Sequence, residues 1–335
     1  MNLEDKIAAF CQLGELMQDI DNIKWTEALS KGYENNQWFN ISESKKAILN
    51  ISSILNQKAI YRWLKDYKTS KSPKKVGIIM AGNIPLVNFH DLLCVVLSGN
   101  IAYCKLSHKD AYLMSFIINL LKEINNGFKD YIIISEQLKK IDAVIATGSN
   151  NTFRYFEAYF GKHPHIFRKS RTSIAILNGN ETKADYNNLG RDIFDYYGFG
   201  CRNVSKIYIP RTTKPESLLE NMDDFKMVID NNKYKNNFDY NLSILLLNRT
   251  PHLHNEFMIL QENEGIFSPT ACIYYEYYDT INTLENKLSV YNNEIQCIVS
   301  TNKFYKNSFH LGESQCPSLT DYPDHIDTMA FLENL

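Results

Sequence analysis

The sequence has no apolar stretch long enough to cross a bilayer. Its best uninterrupted run, Leu92 to Leu97, falls far short of the ~20 residues a spanning helix needs. The amino terminus is no secretory signal either, because Met1 to Phe10 already carry Glu4, Asp5 and Lys6. The seven cysteines, at 11, 94, 104, 201, 272, 297 and 316, contain no CxxC pair, and their number is odd. That argues against both a disulfide framework and a zinc site, and no metal is expected. Reduced thiols in a cytoplasmic protein fit best, which makes sequons such as Asn40-Ile41-Ser42 chance matches. There is no basic block. The 36 Lys and Arg residues are dispersed among 38 acidic ones and the net charge is −2, so nucleic acid is not an expected partner. A GxGxxG fingerprint is absent, as are repeats and low-complexity segments.

What remains is a 335-residue chain with 44% hydrophobic residues, enough for a substantial core and, at about 100–200 residues per domain, for two domains. Residues 1 to about 68 read as helical. Ile7, Phe10, Leu13 and Met17 recur at helical spacing, and Glu43 to Tyr67 repeats the pattern with Ser42 as its expected cap. A polar linker containing Pro73 follows. Beyond it the texture becomes βαβ-like: strands at Val76–Met80, Ile101–Leu106, Tyr131–Ile134, Ala143–Ala146, Ser173–Leu177 and Val204–Ile209 alternate with helices at Val87–Leu97, Tyr112–Ile124, around Phe153–Phe160 and Tyr186–Tyr197. This alternation predicts an α/β fold with parallel sheets.

Cys201 follows Gly198-Phe199-Gly200 at a helix-to-strand junction. Glycines leave room for a substrate beside the sulfur, and a thiol is the most nucleophilic side chain near neutral pH. The plain alternative is a small buried hydrophobe. Gly148 and Ser149 open a helix directly after a strand, where backbone amides can face a phosphate or simply form a capped turn. Asn83, in Gly82-Asn83-Ile84-Pro85, offers an amide donor for an oxyanion, and equally the chemistry of an ordinary turn. Lys105 ends a strand, where α/β ligand sites lie. The His163/His165 and His252/His254 pairs read as surface loops. Glu264, ahead of Gly265-Ile266-Phe267-Ser268-Pro269, is either a ribose-binding carboxylate or a solvated one.

In order and spacing these segments resemble the aldehyde dehydrogenase superfamily, and within it the LuxC-like acyl-CoA reductases, over about residues 73 to 300. The superfamily pattern of strand, Asn–Pro turn, helix, Gly-Asn turn and strand ending in Lys is similar to Val76–Met80, Asn83 and Pro85, the helix to Leu97, Gly99-Asn100 and Lys105. A Gly-Ser turn resembles Gly148-Ser149, the nucleophilic Cys matches Cys201 with a basic residue five positions on at Lys206, and Ile-Phe-Gly-Pro resembles Ile266-Phe267-Ser268-Pro269. Two departures bear on chemistry. The segment carrying the water-activating Glu of hydrolytic members corresponds to Arg168-Lys169-Ser170-Arg171, which has no carboxylate. The Lys-Pro-Ser-Glu segment becomes Lys105-Leu106-Ser107-His108, replacing the ribose-binding acid by a His followed by Lys109.

The resemblance implies two open twisted-sheet α/β domains. The expected division is a helical N-terminal segment (1–72) packing on the cofactor domain, a nicotinamide cofactor-binding domain (73–195), a catalytic domain (196–310) and a C-terminal return segment (311–335). It also implies reduction of an acyl-CoA or acyl-protein thioester to an aldehyde, through an S-acyl enzyme on Cys201 with Asn83 holding the oxyanion. NADPH is the expected donor, with NADH as the alternative, held by Lys105, Ser107, His108, Gly148, Ser149 and Glu264. A homodimer or a partner acyltransferase or synthetase would fit the family. The rival readings are Cys-dependent acyl transfer without redox chemistry, and a non-catalytic binding module of the same fold.

Overall fold

Most of the early helices begin on an asparagine, whose short side-chain carbonyl accepts one of the backbone N–H groups that a helix start leaves unpaired. In the computed structural model, which describes all 335 residues, α1 (Leu3–Gln18) is capped by Asn2, α2 (Ile23–Asn35) by Asn22, α3 (Ile41–Ile54) by Asn40 and α4 (Gln57–Leu64) by Asn56. The cap of α3 is therefore Asn40, which accepts from the Glu43 N–H at 2.7 Å, and Ser42 lies inside the helix. The periodic stretch from Glu43 to Tyr67 is likewise two helices, because the chain leaves helical geometry at Leu55 and Asn56 caps a new start.

The chain divides into two compact units, Met1–Ser170 with Ser318–Leu335, and Arg171–Pro317. In the first, β1 (Lys75–Ile79), α5 (Phe89–Leu97), β2 (Ile101–Lys105), α6 (Ala111–Ile124), β3 (Ile132–Ile134), β4 (Ala143–Thr147), α7 (Asn150–Phe160) and β5 (His165–Arg168) follow the four helices. The strands form an all-parallel sheet of order β3-β2-β1-β4-β5. Helix α5 is apolar nearly all round, as a fully enclosed helix must be: Leu92 through Leu97 are completely buried. It stops at Gly99, whose φ of +92° suits glycine and brings the chain against the Ser70 backbone. Helices α1 to α4 share one apolar core with the sheet. The buried Lys6 ammonium caps α5 by donating to the Val96 carbonyl at 3.0 Å and sits 3.7 Å from the centre of the Tyr131 ring.

The second unit contains β6 (Thr172–Ile176), α8 (Lys183–Phe194), β7 (Val204–Pro210), α9 (Glu216–Glu220), α10 (Asn232–Leu247), β8 (Leu253–His254), β9 (Ile259–Glu262), β10 (Cys272–Tyr278), α11 (Ile281–Leu288), β11 (Ile295–Ser300) and β12 (Phe309–His310). Its sheet has the order β12-β11-β6-β7-β10-β9-β8, parallel except for the β8–β9 pair. The expected boundary at 195/196 is thus at 170/171. Strand β6 pairs with β7 and β11 in the interior of the second sheet, so β6 and the helix after it cannot belong to the first. The chain then returns to the first unit, where α12 (Thr328–Glu333) ends the fold. There Trp63 Nε1 donates to the Tyr322 hydroxyl at 2.7 Å, and Tyr67 donates to Asp327 at 2.7 Å.

One buried polar network fastens the first unit. Asp91 on α5 and Arg168 at the end of β5 form an ion pair with side chains 2% and 3% exposed. Arg168 also donates to Thr328 Oγ1 of α12 at 2.9 Å. Asn88 donates to Asp91 and to Thr147 Oγ1, each at 3.1 Å, and accepts from the Ala81 N–H at 2.7 Å. Removing one partner of such a pair leaves a buried charge alone. Arg168→Met should therefore cost about 3–5 kcal/mol in urea unfolding, and the Asp91→Leu/Arg168→Met double variant should recover most of that loss.

Candidate active site

In an open parallel sheet, ligands bind outside the C-terminal strand ends at the point where strand order reverses. In the first unit that point lies between β1 and β4. Gly82-Asn83 follows β1 there, Gly148-Ser149 follows β4, and Lys105 to His108 follow the neighbouring β2. The structure thus gathers Asn83, Lys105, Ser107, His108, Gly148 and Ser149 along one edge of one sheet. Asn83, Lys105, His108 and Ser149 are exposed.

Two glycines are dictated by contact. A Cβ on Gly148 would lie 2.3 Å from Thr152 Oγ1, and one on Gly82 would lie 2.6 Å from Ser107 Oγ. The turns after β1 and β2 therefore touch through Gly82 and Ser107. The Ser149 side chain caps α7 by accepting from the Thr152 N–H, which leaves the backbone amides of the first helical turn as its contribution to an anion. Lys105 makes no ion pair and lies at the strand end, while the His108 carbonyl accepts from Asn35 of α2 at 3.0 Å. Lys109 follows, and no carboxylate occupies 105 to 109. This edge suits an anionic, phosphorylated cofactor.

Sequence reasoning missed the groups that hold this edge in shape. Asn88, which precedes α5, and Asp91 in its first turn are polar residues of a mostly apolar segment. Asp110, at the start of α6, is 3% exposed and accepts from the Leu86 N–H at 2.8 Å. Leu86 has φ +57°, a strained conformation for a non-glycine residue, at the point where the chain turns from Asn83 into α5. Burial pushes the Asp110 carboxyl well above the usual carboxylate range, against the hydrogen bond from Leu86.

In the second unit Cys201 is half-buried, and all seven cysteines are thiols. The turn before it is strained: Tyr196 (φ +54°) and Tyr197 (φ +55°) precede Gly198 (φ +77°), three consecutive residues in the left-handed region. Such strain costs of order 1–3 kcal/mol per non-glycine residue and collects at functional sites. Asn203, 2% exposed, holds the loop. Its Oδ1 accepts from the Gly200 N–H at 2.7 Å. Its Nδ2 donates to the carbonyls of Asp192, Ile193 and Asp195 at 3.1, 3.3 and 2.8 Å, closing the C-terminal end of α8. The Cys201 carbonyl accepts from Ser173 Oγ at 3.0 Å. Ser173 also meets Cys297 Sγ at 3.0 Å, and burial pushes that thiol up to about 11.

Lys206, five residues past Cys201, is fully buried. Its ammonium pairs with Glu276 at 3.0 Å and donates to the Asn263 carbonyl. Burial lowers its pKa, opposed chiefly by Glu276. The Ser205 hydroxyl donates to the Ile266 carbonyl. The loop after β9 is thereby drawn back over the sheet, so the Ile266–Pro269 segment lies alongside the start of β7, a few residues from Cys201. Glu264 is on this loop and exposed. Of the histidines, His163 lies in a loop, but His165 begins β5 and stacks on Phe167 at 3.9 Å.

A family model of the LuxC acyl-CoA reductases matches residues 45–222, more than half of the chain. The chain belongs to the LuxC acyl-CoA reductase family. Solved structures similar to this LuxC-family chain are aldehyde dehydrogenase-like. An indole-3-acetaldehyde dehydrogenase complexed with NAD+ is 14% identical, with 95% of this chain and 75% of that one covered and a TM-score of 0.68. An NADP-dependent enzyme of E. coli is 10% identical, covering 94% and 76%, with a TM-score of 0.68. An aldehyde dehydrogenase of Bacillus cereus in complex with NAD+ is 14% identical, covering 91% and 73%, with a TM-score of 0.62. At these identities they establish the fold. No curated protein matches the sequence. No helix is long and apolar enough to cross a membrane.

Two outcomes follow from the loop. Asn203→Asp loses the donor facing three carbonyls, and should destabilise the unit and change the rate of Cys201 alkylation by iodoacetamide at least severalfold. Asp192, fully buried, accepts from the Gly312 and Ser314 N–H groups at 2.6 and 2.9 Å, yet burial pushes its carboxyl up from 3.8 to about 6. The folded state then binds this proton more tightly than the unfolded one. Its contribution is full below pH ~4 and lost as pH rises through ~6, a span worth about 3 kcal/mol. Urea unfolding from pH 4 to 7 should show the wild type losing that much stability relative to Asp192→Asn.

Proposed function

We propose that this protein reduces an acyl thioester to an aldehyde through an S-acyl intermediate on Cys201. The Cys201 thiolate attacks the thioester carbonyl carbon, the bond to the departing thiol breaks, and the acyl group is left on the enzyme. NADPH, when bound, supplies a hydride to that carbonyl carbon. The resulting thiohemiacetal releases aldehyde and regenerates the Cys201 thiolate. Lys105, Ser107, His108 and the amides after Gly148 and Ser149 would hold the cofactor's phosphates and ribose. By the family resemblance, Glu264 would orient a ribose hydroxyl and Asn83 would donate to the oxyanion. The positively charged run at 105 to 109 favours NADPH over NADH.

The observation that carries this reading is the end of β5. The segment that resembles the one carrying a water-activating Glu in hydrolytic members, Arg168 to Arg171, holds no carboxylate, and Arg168 is buried and paired with Asp91. A thioester on Cys201 then meets no carboxylate base from that segment, and it persists until hydride or another thiol resolves it. The strained turn ahead of Cys201 and the clamp of Asn203 support its role as the nucleophile.

Intact-protein mass spectrometry after mixing with acyl-CoAs of several lengths tests the scheme. An acyl adduct should form, disappear on adding NADPH with aldehyde released, and be absent in Cys201→Ala. Acylation retained in that variant would remove Cys201 from the mechanism, and an adduct indifferent to NADPH would favour acyl transfer without redox chemistry. Asn83→Ala should lower turnover roughly 10²–10³-fold.

A further inference from the structure

The far end of β7 borders a groove that the scheme above does not use. It is a cavity of about 870 Å³ in the second unit, within the size range of small-molecule sites. Its floor is set by strand geometry. Tyr275 and Tyr277 are two apart on β10 and so share a face of the sheet, and Tyr275 is in direct register with Glu262 of β9. The two rings meet edge to face at 5.8 Å. One wall is the loop from Arg211 to Pro215 with Glu216 and Glu220 of α9, and the other is Pro251 to Leu253.

The groove carries more acceptors than donors. Glu216, Glu220 and Glu262 line it, and none is in an ion pair. Arg211 is already taken, held by Asp279 at 2.5 Å with its guanidinium over the Tyr277 ring, 6.0 Å from its centre. Three carboxylates therefore face Lys214 as the remaining unpaired lysine or arginine. His252 Nδ1 lies 2.7 Å from the Thr250 carbonyl. A carbonyl only accepts, so Nδ1 carries a proton in that hydrogen bond. Tyr275 is 8% exposed, yet its hydroxyl makes no hydrogen bond. Burial first, then Tyr277, Glu262 and Glu216, push the Tyr275 phenol up to about 12.

We infer that this groove binds an organic cation, an alkylammonium group seated at the Tyr275 hydroxyl beside Glu262 and Glu216. Glu262 and Glu216 neutralise the charge and the Tyr275 oxygen accepts one N–H. The carboxylates add charge-assisted hydrogen bonds that a quaternary ammonium cannot make. The site lies at the opposite end of β7 from Cys201, about 20 Å along a seven-residue strand, so it is independent of the thioester chemistry.

Isothermal titration of the full chain with 1,4-diaminobutane tests the inference. One saturable site is expected. Glu262→Gln should weaken binding about tenfold or more and Tyr275→Phe severalfold, as the loss of a hydrogen bond to a charged group implies. Tetramethylammonium should bind more weakly than the diamine. Circular dichroism confirms that both variants fold, and Glu262, being exposed, is replaceable without loss of core. Absence of saturable binding overturns the inference. So does binding that survives in the Glu216→Gln/Glu262→Gln variant, or titration by inorganic phosphate in place of the diamine, which would make Arg211 and Lys214 the recognising groups.

Discussion

The Asp91–Arg168 ion pair is the constraint around which the first unit is organised. It is buried on all sides, so each charge is tolerable only because the other is present and because Asn88 and Thr328 supply further hydrogen bonds. Through these few side chains, α5, the ends of β1, β4 and β5, and the last helix are held to one geometry. The same strand ends carry the candidate cofactor residues. A site built on loops thus inherits its shape from a charged cluster beneath the loops.

The second unit solves a similar problem without a central ion pair at the loop itself. Asn203 satisfies the carbonyls at the end of α8 and the amide of Gly200 at once, so a strained turn through Tyr196 and Tyr197 is held in place rather than relaxing. Behind it the buried Lys206 is neutralised by Glu276, and it draws the loop after β9 back across the sheet. Both units use a fully enclosed polar side chain to fix a segment that propensity alone would leave mobile.

Much of the architecture was legible from the chain. Apolar runs of strand length alternating with helical periods predict most of the strands from β1 to β7 and their order. Glycine and asparagine at 99 and 100 mark the end of α5. The errors have physical reasons. Strand β5 escaped because His165 and Arg168 break its apolar pattern, one stacked on Phe167 and the other buried only by virtue of Asp91. The domain boundary was placed too late because local periodicity does not say which sheet a strand joins. That is decided by the pairing of β6 with strands both near and far along the chain.

The sequence by itself determined the family, through the order of Asn83, Lys105, Gly148 and Cys201, and the class of fold, through periodicity, because both reside in short-range pattern. Only the tertiary structure decided what Arg168, Asn203, Lys206 and Asp110 do. Each is a polar residue whose role depends on a partner distant in sequence or on the enclosure around it. Burial multiplies the worth of such a contact and the cost of its loss, and burial is a property of the fold rather than of the residue.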